Sequence, residues 1–221
     1  MGGVHAQIVL FDAFDPLDVV APFEVLSAGS DAVGGDLVVE LVTAAGPRDV
    51  VSGTRDLTLR ATRTLDPAKP GYVIVPGASG PIAGDPDQGV HTIPVLLARA
   101  LDTPLIPLMR QALQNPDVTV VTVCGGSVLL AMAGLIEDRH ATTHWLGLDV
   151  LDAAGVHAVR ARVVDDGDFI SGGGVTSGLD VALHLLERSY GPRIAHAVEE
   201  LFEYERRGTV WTPSGRTPRE V

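Results

Sequence analysis

The sequence predicts a parallel α/β sandwich. Strand-like apolar runs alternate along the chain with helical patterns, as expected where crossover helices join parallel strands. One β-branched run, residues 118–123, passes through Cys124-Gly125-Gly126-Ser127 into an apolar helical stretch, residues 128–135, which is the strand–turn–helix unit of that architecture. The chain has 221 residues, 46% of them hydrophobic, enough to bury one sizeable core. Residues 1–207 are assigned to one domain. Residues 208–221, with two prolines and no periodicity, are assigned to a tail without regular structure.

The elements follow in order. Residues 7–11 form a short apolar strand, broken at Asp12-Ala13-Phe14-Asp15-Pro16. A helix runs over about residues 16–28, with Pro16 in the first turn, where its missing N–H has no partner to lose. Residues 37–42 are a second strand, and residues 55–60 alternate like an edge strand or hairpin arm. Residues 72–75 are a third core strand, closed by Pro76-Gly77. Residues 80–90, rich in Gly, Pro and Asp, form a loop, and helices follow over about 91–101 and 104–114. After the helix that Cys124 precedes, residues 139–143 make a short strand or turn, and 145–154 are helical up to Gly155. Residues 158–165 and 169–170 pair around Asp166-Gly167, a hairpin turn signal. Gly172-Gly173-Gly174 leads into a helix over about 176–189, and a last helix spans about 192–205. There is no internal repeat and no interdomain linker.

Composition excludes several classes. Sixteen Lys and Arg stand against 28 Asp and Glu, a net charge of −12 that repels nucleic acid and anionic membrane. Residues 118–136 carry no charge, long enough to consider a membrane span, but Cys-Gly-Gly-Ser interrupts the stretch and its first half is β-branched. One cysteine allows no internal disulfide and suits a reducing compartment. The first six residues lack a basic segment, and Asp12, Asp15 and Asp18 follow closely, so a cytoplasmic protein is expected. No metal-ligand spacing such as HExxH occurs, no GxSxG elbow is present, and no cofactor is expected.

Cys124 is the residue around which chemistry is expected. A lone cysteine is commonly a small, inert hydrophobe. At a turn between a strand and a helix, however, its thiol meets helix N–H groups that favour thiolate, so its pKa is expected to fall below the ordinary thiol value. The same amides, at Cys124 and Gly125, would receive developing negative charge. An exposed thiolate without a second cysteine would oxidise to sulfenic and sulfinic acid rather than to an internal disulfide. Asp18 admits two readings, a dipole-stabilising acid in the first turn of a helix, or a carboxyl group facing the crevice that holds Cys124. Asp12 and Asp15 are expected to be loop acids. His144 is either a base for Cys124 or a partly buried structural histidine, with Thr143 and Thr176 as supporting residues. Gly172-Gly173-Gly174-Val175-Thr176-Ser177-Gly178 is not a strict GxGxxG, and close backbone approach beside the Cys124 turn explains it better than a dinucleotide.

These strings resemble the ThiJ/PfpI superfamily. Leu17-Asp18-Val19-Val20-Ala21-Pro22, Val75-Pro76-Gly77, Val123-Cys124-Gly125-Gly126-Ser127, Ala141-Thr142-Thr143-His144-Trp145 and Gly172-Gly173-Gly174-Val175-Thr176-Ser177-Gly178-Leu179-Asp180 occur in family order across residues 7–204. With Asp at the first motif, the chain is most similar to the isocyanide hydratase-like subgroup. The resemblance implies a flavodoxin-like three-layer sandwich, a homodimer, Cys124 as nucleophile and Asp18 as its acidic partner. Backbone at Gly77, Gly125, Gly172, Gly173 and Gly174 would form the pocket and oxyanion site. A small-molecule substrate is expected, hydrated from isocyanide to N-formamide. The alternatives are another thiol enzyme of the superfamily, acting on glyoxals or amides, and a redox or ligand sensor. Two departures stand out. Gly125 takes the place of a Thr usual in the hydratases, and residues 84–103 look like an insertion at the pocket mouth. Related domains also form the ligand-binding half of AraC-type regulators, but no basic helix-turn-helix segment occurs in this chain.

Overall fold

The computed structural model describes residues 3–85 and 88–216. A seven-stranded sheet forms its centre, built from β1 (Val4–Val9), β2 (Leu37–Thr43), β5 (Arg63–Thr64), β6 (Gly71–Val75), β7 (Val118–Val123), β10 (Val163–Asp165) and β11 (Phe169–Gly172). Their order is β10-β11-β7-β6-β1-β2-β5, parallel throughout except for the antiparallel β10–β11 pair. Burial explains why the middle strands are unbroken apolar runs. β6, β7 and β11 are covered on both faces, so no alternation with polar residues is required. One face carries α1 (Pro16–Ala32), α6 (Ser177–Tyr190) and α7 (Pro192–Phe202), which pack on one another. The other carries α2 (Ile93–Leu101), α3 (Leu105–Gln114), α4 (Gly126–Met132) and α5 (Leu148–Ala153). This is the three-layer, flavodoxin-like arrangement. Phe14, Phe169, Ile8, Leu26, Leu129 and Leu130 are among its largest fully buried side chains.

Several boundaries differ from the sequence reading, each for a physical reason. α1 continues four residues beyond the expected end at residue 28, because Gly29 lets it pass Leu186 of α6 closely. The expected strand at 55–60 is displaced to β4 (Thr58–Ala61). Arg55 and Asp56 adopt left-handed backbone, and β4 pairs outside the main sheet with β3 (Arg48–Val51). The stretch 158–165 is not one strand. β9 (His157–Ala158) pairs with β8 (His140–Ala141), the chain turns, and only then does β10 begin. The helix expected from 145 begins as a 3₁₀ turn, Trp145–Gly147. The last helix stops at Phe202, capped by Glu203 in left-handed conformation. The tail is not wholly irregular, since Trp211 exchanges backbone hydrogen bonds with Val163 and Asp165 at the edge of β10. Residues 217–221 of that tail, residues 1–2 of the expected domain, and residues 86–87 of the expected insertion lie outside the described residues. Among the described residues no helix is long and apolar enough to cross a membrane.

The carboxyl ends of β1, β6 and β7 meet under the first turn of α4. A side chain at Gly126 would place its Cβ 2.2 Å from the Val75 carbonyl oxygen, so the helix start and the strand end are in backbone contact. Gly126→Ala is therefore expected to force the two apart and lower stability by about 1–3 kcal/mol or more. Urea unfolding of the variant beside the parent chain measures this, and an unchanged midpoint would contradict the contact.

Candidate active site

Cys124 leaves β7 with φ of +54°, a left-handed conformation that a non-glycine residue adopts only when its surroundings hold it. Three groups hold it. The Cys124 N–H donates to the Gly172 and Gly173 carbonyls at 3.1 and 2.9 Å, and the Thr143 hydroxyl donates to the Cys124 carbonyl at 2.6 Å. Below it, Ser127 Oγ donates to the Thr142 carbonyl at 2.7 Å and so accepts from Thr122 Oγ1 at 2.6 Å. These hydroxyls tie the start of α4 to the loop that carries Thr142 and Thr143.

Asp18 lies in the first turn of α1 and is fully buried. Its Oδ2 accepts the Gly77 N–H at 2.9 Å, while its buried Oδ1 has no full hydrogen bond in the protein. Gly77 is held at both ends, since its carbonyl accepts from the Asp15 N–H at 2.9 Å. It is also hemmed in. A Cβ there would lie 2.6 Å from the Gly125 nitrogen and 3.0 Å from Asp18 Oδ2. The Gly77 amide is thus engaged with a carboxyl group of the protein, and it is not free to bind an oxyanion as expected.

The structure brings Asp18 and Cys124 close enough for each to perturb the other's titration. Burial pushes the Asp18 carboxyl well above the ordinary range. The charge of Asp15 adds to this, and the Gly77 amide and the thiol oppose it. Burial also pushes the Cys124 thiol up, and negative charge on Asp18 pushes it further. Hydrogen bonds from the Gly125 and Val175 amides pull it only partly back. This corrects the expected acidic thiol. A helix terminus contributes about 0.3–1 kcal/mol, whereas desolvation of a buried ionisable group shifts its pKa by up to about 3–5 units, at about 1.4 kcal/mol each. Burial wins. The expected exposure is corrected too: Cys124 is 9% exposed, which with its proton retained makes oxidation slower than for an open thiolate.

The remaining candidates occupy distinct places. Gly172 and Gly173 present carbonyls, not amides, to the Cys124 backbone, and Gly174 packs against the His144 ring, 3.1 Å from a Cβ built there. His144 is not among the groups that shift the thiol. Its Nδ1 accepts from the Leu146 N–H at 3.3 Å and caps the 3₁₀ turn. Thr143 supports the Cys124 carbonyl, and Thr176 accepts a hydrogen bond from Arg162. Gly125 faces α2, which lies within the expected insertion. A Cβ at Gly125 would lie 3.3 Å from the Gly77 Cα and 3.6 Å from Leu97 Cδ1. Among the described residues no three His, Cys, Asp or Glu side chains are grouped to hold a metal ion.

Sequence reasoning missed Arg162 and gave Asp180 no role. Asp180, buried in α6, accepts from Arg162 Nε at 2.8 Å, Tyr204 Oη at 3.0 Å and the Arg207 N–H at 2.7 Å. Arg162 in turn donates to Thr176 Oγ1 at 2.8 Å, and its carbonyl accepts the Gly173 N–H at 3.0 Å. Residues 173–176, which carry the Val175 amide to the thiol, are therefore fastened to Arg162 at both ends. The only advance signal was the alternation of Arg160 and Arg162 with apolar residues in the expected strand 158–165.

With the geometry in place, the relatives are informative. Residues 97–188 match the DJ-1/PfpI family. An isonitrile hydratase from Pseudomonas putida is 33% identical over 199 residues, covering 89% of this chain and 76% of that protein. The HTH-type transcriptional regulator CdhR of Pseudomonas aeruginosa is 33% identical over 106 residues, 47% of this chain but only 31% of the regulator. A THiJ/PfpI family protein from Pseudomonas syringae superposes with a TM-score of 0.76 at 24% identity, covering 94% of this chain and 78% of that one. Drosophila melanogaster DJ-1beta superposes with a TM-score of 0.71 at 15% identity, covering 92% and 99%. The chain belongs to the DJ-1/PfpI family.

Two measurements check the site. Because burial and Asp18 both favour the neutral thiol, iodoacetamide alkylation of Cys124 should rise with pH only above the ordinary thiol range. Asp18→Asn removes the like charge and should shift that rise to lower pH. A plateau already reached below about pH 7 in the parent chain would contradict this reading. Arg162→Met leaves Asp180 buried without its cation and should cost about 3–5 kcal/mol of stability. Arg162→Lys should recover part of it, since a Lys offers the charge but not the fork. Equal melting temperatures for all three proteins would remove the clamp from the site.

Proposed function

We propose that this member of the DJ-1/PfpI family hydrates a small isocyanide to an N-formamide, with Cys124 as nucleophile and Asp18 as proton shuttle. The observation that carries the reading is the buried pair itself. A carboxyl group that burial holds well above the ordinary carboxylate range, beside a thiol that burial pushes up, suits chemistry in which one proton leaves sulfur as carbon–sulfur bonding begins. The likeness to an isonitrile hydratase supports the substrate class.

The Cys124 sulfur bonds to the terminal carbon of the isocyanide while its proton passes through Asp18 to that carbon, giving a thioimidate. Asp18 next takes a proton from water as the oxygen adds to the same carbon, and passes a proton to the nitrogen. The carbon–sulfur bond then breaks as the new hydroxyl group returns its proton to the sulfur, and the N-formamide leaves. The net change is isocyanide plus water to formamide, with no redox partner. The Gly125 and Val175 amides would stabilise charge on the departing sulfur. An isocyanide carries no net charge, which suits a site whose ionisable groups are buried rather than solvated.

The test is formamide production from an alkyl and an aryl isocyanide, followed by mass spectrometry. Cys124→Ala should abolish it. Asp18→Asn should lower turnover by roughly two to four orders of magnitude with the fold intact. Turnover of glyoxals or amides with isocyanides untouched would replace this reading by another thiol enzyme of the family. No turnover of any of them would favour a sensing role.

A further inference from the structure

A cavity of about 380 Å³ opens at the carboxyl ends of β1 and β2, and neither Cys124 nor Asp18 lines it. Its size falls at the small end of the range for ligand sites, about 300–1,000 Å³. Phe11, Ala44, Leu96 and Ala100 give it apolar walls, and α2 forms one side. That helix separates the cavity from the thiol, because the neighbouring Leu97 reaches across to Gly125.

The charges at the rim define what could sit there. Arg48 is committed: its Nη1 and Nη2 donate to the two Asp12 carboxylate oxygens at 2.8 and 3.1 Å. Arg99 is not. Among the described residues no carboxylate pairs with it, and its Nη2 contacts only the His91 ring, at 3.1 and 3.2 Å. The lining therefore carries a surplus of one positive charge in a protein of net charge −12. Asp12 on the same rim would repel a doubly charged group. Apolar walls with one available guanidinium match a small molecule that is apolar at one end and singly negative at the other.

We propose that this cavity is a ligand site distinct from the thiol site, binding a small aryl or branched aliphatic monocarboxylate with its carboxylate on Arg99. The proposal stands whether or not isocyanide is the substrate at Cys124.

The probe is 4-fluorobenzoate, titrated against the full chain and followed by fluorine NMR, with neutral 4-fluorobenzamide as comparator. The parent chain should bind the benzoate saturably. Arg99→Gln should weaken the benzoate about tenfold or more while leaving the amide unchanged. Ala45→Trp, at an exposed lining position, should abolish binding of both, with Ala44→Leu as a second blocking variant should the first not fold. Cys124→Ser should bind as the parent does. No saturable binding up to about 10 mM overturns the proposal. So does benzoate binding that survives both blocking variants, or that Arg99→Gln leaves unchanged. Loss in Cys124→Ser with retention in Ala45→Trp would place the probe at the thiol and also overturn it.

Discussion

The structure turns on the backbone of Gly77. Its N–H holds Asp18, its carbonyl holds the Asp15 backbone at the start of α1, and its bare Cα lets Gly125 approach from the start of α4. Three chain segments that are distant in sequence thus converge on one residue with no side chain. Any Cβ there would displace either the Asp18 carboxylate or the Gly125 amide. With Gly126 in backbone contact with Val75, the ends of β6 and β7 are set against each other before any side chain contributes to the site.

From that convergence the electrostatics follow. Strand ends closed this tightly exclude water, and an excluded carboxyl group beside an excluded thiol cannot both be charged. Gly77 supplies one hydrogen bond to the carboxylate and the Gly125 and Val175 amides supply partial stabilisation to the sulfur, but neither outweighs desolvation. The pair is therefore better described as sharing protons than as a standing thiolate with a spectator acid. Reactivity in such a site comes from moving a proton over a short distance, and it does not require a thiol that is acidic in the resting protein.

Much of this was legible in the sequence, and the remainder has identifiable causes. The strands β6 and β7 announced themselves as apolar runs closed by Pro76-Gly77 and Cys124-Gly125, because burial on both faces leaves no room for polar alternation. The α/β pattern placed Cys124 at a strand end, whereas Asp18 kept two readings until the family resemblance made it the partner; β6 lies between the strands that precede them. The thiol's protonation was misjudged because a helix start is local and visible in sequence, whereas burial is a property of the whole fold. β3, β5 and β9 went unseen because two to four residues, such as Arg63-Thr64, carry no period; pairing partners create them. The Arg162–Asp180 contact joins residues eighteen apart across two strands, their turn and a glycine-rich loop, which no spacing rule anticipates. His144 looked like a base because of its neighbours in the string, yet its ring nitrogen serves the next turn of backbone.

The left-handed backbone at Cys124 shows how such a site is sustained. A conformation of this kind costs on the order of 1–3 kcal/mol and survives only where its surroundings over-determine it. Here the over-determination is explicit: two carbonyls on the Cys124 N–H, one hydroxyl on its carbonyl, and beneath it the Ser127 link from Thr122 to Thr142. The loop supplying those carbonyls is itself fastened by Arg162 to Asp180, and Asp180 to Tyr204 beyond the last helix. Strain at the thiol is thus balanced by hydrogen bonds that reach from β7 to the chain's C-terminal region. That gives residues with no contact to the sulfur, Arg162 and Asp180 above all, a share in fixing where the sulfur and its proton lie.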